Sequence, residues 1–76
     1  MSKTIQSDEY KKIVEKLRAA REEASLTQIE VANLMKKPQS YISKSEAGEQ
    51  RLDILELKRF AKLYKKPLNY FIRYVG

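Results

Sequence analysis

An all-α fold in one compact domain is what this sequence predicts, and three observations carry that expectation. Apolar residues recur at helical spacing over most of the chain. Only two glycines and two prolines occur among 76 residues, too few turn formers for several short strands. Hydrophobic residues make up 42% and charged residues 34%, a balance that suits a packed globule rather than a disordered chain. A chain of this size lies near the lower end of what folds without disulfides or metal, so a few core contacts decide its stability.

Residues 1–7 read as a flexible tail, with Ser7 or Asp8 able to cap a first helix and Asp8 and Glu9 favourable at its positive end. Tyr10, Ile13, Val14, Leu17, Ala20 or Arg21, and Ala24 follow the i, i+3, i+4, i+7 rule, which predicts a helix over about 8–24. The second helix, 27–36, opens on Thr27-x-x-Glu30, a capping box with Leu26 as its hydrophobic staple, and buries Val31, Ala32 and Met35. Pro38 disfavours helical geometry at Lys37 and suits the start of a third helix, 38–47, which points Ile42 inward. Gly48 supplies that helix with a left-handed cap. Asp53 caps a fourth helix with Ile54, Leu57, Phe60, Ala61 and Tyr64 as its buried stripe. Pro67 opens a fifth over 68–74, with Phe71 and Ile72 directed inward.

Composition excludes several functions. Without cysteine or histidine there is no thiolate, imidazole base or common nitrogen ligand, so no metal and no cofactor are expected. Neither a glycine-rich phosphate loop nor a carboxylate pair in a recognisable pocket stands in for them, and an enzyme is not expected. No apolar run approaches the ~20 residues of a membrane span, and the first residues do not open a signal peptide. A cytoplasmic protein without a membrane partner is the expectation. Sixteen Lys and Arg against ten Asp and Glu give +6 and favour a polyanion partner through counterion release.

The third helix points to DNA as the expected partner. Its exposed positions are Gln39, Ser40, Ser43 and Lys44, all polar and able to hydrogen-bond. A short helix with such side chains suits the major groove of DNA. In order and spacing, Leu26-Thr27-Gln28, Val31-Ala32, residues 38–44 (PQSYISK), Glu46-Ala47-Gly48 and the 61–72 tail resemble the phage-repressor and Cro-like (XRE) helix-turn-helix family. The likeness covers roughly 10–72.

The resemblance implies a five-helix lambda-repressor-like domain that binds double-stranded DNA and regulates transcription, as a repressor or a restriction-modification controller. It implies base reading by Gln39, Ser40, Ser43 and Lys44. It implies backbone contacts from Thr27, Gln28, Lys37, Tyr41, Arg51 and Arg21, with packing over the neighbouring helix as the alternative for Tyr41. Arg21 and Glu46 are the positions of a largely buried ion pair. Leu68, Tyr70, Phe71, Tyr74 and Val75 are the expected homodimer interface, placing two recognition helices roughly 34–36 Å apart on a palindrome. No small-molecule ligand is expected. The alternative is an antitoxin or adaptor-type protein-interaction module on the same fold, which would normally add a partner-binding extension. The chain departs from the family at Ser25, Lys36 and Lys65, where glycine is usual, and at Ser45, where a larger apolar residue is usual.

Overall fold

The computed structural model describes residues 7–72; residues 1–6 of the predicted tail, and Tyr74 and Val75, lie outside that range. The described residues form five helices and no strand: α1 Asp8–Glu23, α2 Gln28–Met35, α3 Gln39–Ala47, α4 Ile54–Tyr64 and α5 Leu68–Phe71. None of these helices is long and apolar enough to cross a membrane.

Local chemistry sets the helix starts. Ser7 Oγ accepts from Tyr10 N at 3.1 Å, with Asp8 and Glu9 in the first turn of α1. Thr27 and Glu30 form the reciprocal capping box of α2. Asp53 and Glu56 form a second box at α4, where only the Asp53 half was expected.

The helix ends share one geometry. Ser25, Lys36, Gly48 and Lys65 all have positive φ, at 59°, 57°, 74° and 58°. The next residue's N–H then bonds the carbonyl five residues back: Leu26 to Arg21, Lys37 to Ala32, Glu49 to Lys44 and Lys66 to Ala61. These are Schellman caps, and at three of them an L-residue takes a left-handed conformation that costs about 1–2 kcal/mol.

One core cluster joins the helices: Leu17 and Ala20 from α1, Val31, Ala32 and Met35 from α2, Ile42 from α3, Leu57, Phe60, Ala61 and Tyr64 from α4, and Phe71 from α5. α1 is the hub, packing on α3, α4 and α5, while α2 packs on α3. Ser45 is fully buried in this frame. Its hydroxyl donates to Tyr41 O at 2.7 Å and accepts from Gln50 Nε2 at 2.9 Å, so its polar group is satisfied.

Four expectations change. Ile54 is 55% exposed rather than part of the α4 stripe, because it opens the helix and the packed face begins one turn later at Leu57. Ala24 is exposed just past α1. α5 ends at Phe71, not near 74, since Ile72 turns to extended geometry. Phe71 is 2% exposed and lies in the core, so in this fold its ring is unavailable to a partner subunit.

Candidate nucleic-acid interface

A buried ion pair fixes the third helix. Arg21 Nε donates to Glu46 Oε2 at 2.6 Å and its Nη2 to Oε1 at 3.1 Å, a two-pronged contact between α1 and the end of α3. The two side chains are only 11% and 4% exposed. Arg21 Nη1 also donates to Leu26 O at 2.9 Å, which ties the α1–α2 turn to the same guanidinium. The hydrogen bond to Glu46 raises the Arg21 pKa above its ordinary value, with burial opposing.

From that pair a line of side chains runs to the surface. Gln28 Nε2 donates to Glu46 Oε1 at 3.0 Å, and Gln39 Nε2 donates to Gln28 Oε1 at 3.0 Å. Gln28, at the start of α2, is half-buried, whereas Gln39, at the start of α3, is exposed. The link between the two glutamines went unread in the sequence, because eleven positions separate them and only the fold brings the helix starts together.

The outward face of α3 carries Gln39, Ser40, Ser43 and Lys44, all exposed and spaced i, i+1, i+4, i+5, hence on one side. Pro38 provides no side-chain cap, so the first N–H groups of α3 add a positive end to this face. Thr27 is exposed at the start of α2; its hydroxyl accepts from Glu30 N at 3.1 Å and keeps its own proton to donate.

Aromatic rings support the cations around this face. The Lys37 ammonium lies 4.9 Å over the Tyr41 ring and the Arg51 guanidinium 5.3 Å over the Tyr10 ring. Tyr41 stacks on Phe60, with centroids 6.2 Å apart and 4° between planes, and its hydroxyl donates to Glu56 Oε2 at 3.0 Å. Burial first, then this hydrogen bond, pushes the Tyr41 hydroxyl up to about 12. The structure thus places Tyr41 against α4. Tyr10 was read from the sequence only as an apolar-face residue. Its hydroxyl donates to Gln50 O and accepts from Leu52 N, each at 3.0 Å, and so pins the α3–α4 loop. Nothing in the sequence pairs positions forty residues apart; an aromatic with a hydroxyl on the first turn of α1 is the only signal.

Of the residues expected at a dimer interface, Leu68 and Tyr70 are half-buried and Phe71 is in the core. Lys16 and Lys66 sit over the Tyr70 ring at 5.4 and 4.7 Å. A family model for the helix-turn-helix matches residues 17–71. No curated protein and no solved structure matches the chain.

Proposed function

Because the chain belongs to the XRE-type family of helix-turn-helix DNA-binding regulators, we propose that it is a sequence-specific repressor or restriction-modification controller. It binds a palindromic operator as a homodimer, with α3 in the major groove. The observation that carries this reading is the exposed polar start of α3, tethered through Gln28 to the buried Arg21–Glu46 pair.

Gln39, Ser40, Ser43 and Lys44 read bases. Gln39 suits adenine, which offers a donor and an acceptor on one edge, and Lys44 suits the guanine acceptors or a phosphate. Gln28, Thr27, Lys37, Arg51 and Arg21 meet the sugar-phosphate backbone and set the register. Tyr41 serves from behind, through α4 and Lys37. Leu68 and Ile72 support the dimer reading: with Pro67 and Asn69 they line a shallow groove of about 400 Å³ beside the end of α5. Ile54 and Leu55 are large apolar side chains left 55% and 66% exposed at the start of α4.

Selection of bound duplexes from a random pool tests the reading. A palindromic consensus is expected, and recovery of no preferred sequence overturns it. Gln39→Ala relaxes preference at one base position in each half-site, by about 1–3 kcal/mol of discrimination. Gln28→Ala weakens binding to all sequences and also loosens Gln39, because the two amides are joined.

A further inference from the structure

We infer that Tyr10 and Tyr41 are positioning residues for DNA binding: each holds on its ring face a cation that meets the DNA backbone, Arg51 beyond one end of α3 and Lys37 before the other. This rests on the reading of Lys37 and Arg51 as backbone contacts. Both cations lie within the ~6 Å range in which a ring face attracts a positive charge. Lys37 directly precedes the Pro38 cap of α3, and Arg51 follows three residues after the Gly48 cap.

Each ring is itself locked. Tyr10 holds Gln50 O and Leu52 N, the backbone groups on either side of Arg51, so one tyrosine fixes both the main chain and the side chain at that position. Tyr41 is stacked on Phe60, and the ammonium of Lys37 lies over the same tyrosine ring. Its hydroxyl donates to the Glu56 carboxylate, which makes the ring richer in electrons and a better seat for a cation. Lysine and arginine side chains lose much rotamer freedom when they grip a phosphate. A seat on a fixed ring removes part of that loss before DNA arrives, the ordinary benefit of preorganisation.

Two double-mutant cycles test this, Tyr41→Leu with Lys37→Met and Tyr10→Leu with Arg51→Met. Affinity for a mixed-sequence duplex is read against salt concentration, at a temperature where melting curves show each variant folded. Each Met variant should lower affinity and reduce the salt slope by about one. Tyr41→Leu should weaken binding roughly 2–5-fold where Lys37 is present and not where it is already Met, with Tyr41→Phe recovering most of the loss. The Tyr10 cycle should behave alike; if Tyr10→Leu does not fold, the Tyr41 cycle decides alone. Equal losses with and without the cation overturn the positioning role and leave the backbone contacts standing. Unchanged affinity and slope in both Met variants overturn the backbone contacts and the positioning role together.

Discussion

Arg21 is the single side chain on which most depends. Removing it strands the Glu46 carboxylate in a site only 4% exposed, which costs about 3–5 kcal/mol. A chain of this length has roughly 4–11 kcal/mol in all, at 0.05–0.15 per residue. Arg21→Ala is therefore expected to lower the melting temperature sharply and to weaken DNA binding, since Gln28 and Gln39 hang from the same carboxylate. Unchanged melting and affinity would exclude the role given to the pair. Two tyrosines govern the alkaline limit. Burial and Glu56 push the Tyr41 hydroxyl up to about 12 from 10.0. Burial and, second, the charge of Glu46 push that of Tyr64 up as well. Between the ordinary tyrosine value and the raised one, the folded state binds more protons than the unfolded state, so stability falls as pH rises there. Melting temperatures should hold up to pH ~10 and then decline toward pH ~12 beyond the decline in a Tyr41→Phe variant; identical profiles would refute the assignment.

Among the elements, the helix ends offer the clearest engineering test. Ser25, Lys36 and Lys65 hold left-handed geometry at positions where glycine carries no Cβ penalty. Changing all three to glycine is expected to stabilise the fold by about 0.5–1 kcal/mol each, less than the full strain because glycine also loosens the unfolded chain. A denaturant midpoint that stays put or falls would show these caps to be unstrained. Their positions just past a helix end were legible, but whether they take the left-handed form or another turn geometry was open until the fold showed the former. The capping box of α2 was legible because a cap depends on residues adjacent in sequence. What escaped was information that only packing supplies. Helical period alone extended the α4 stripe back to Ile54, where no neighbouring helix covers the first turn. Ser45 stood out only as a small polar residue where a larger apolar one is usual, and packing alone brings Tyr41 O and Gln50 to satisfy its hydroxyl. The exposed polar side chains of α3 were readable individually, but the tie from Gln39 through Gln28 to Glu46 was not.

For the whole molecule, the fold leaves apolar surface at the start of α4 and beside α5 while Phe71 is spent on the core. Sedimentation at micromolar concentration should show a dimer, and a monomer across the range would count against binding as a preformed pair. With +6 on 76 residues, affinity for any duplex should fall steeply with salt, whereas preference among sequences should be much less sensitive.

The line from Arg21 to Gln39 also has a direction. A carboxylate can only accept, so Glu46 compels Gln28 to turn its amino end inward and its oxygen toward Gln39. Gln39 then gives one N–H to Gln28, which leaves its oxygen and its second N–H for the groove in the proposed complex. An amide on an open surface flips freely between two nearly equal orientations, and adenine accepts only one of them. The orientation of the Gln39 amide is thus set by a charge buried at the far end of the helix. On the proposed reading of Gln39, a carboxylate whose side chain is only 4% exposed takes part in deciding which base is chosen.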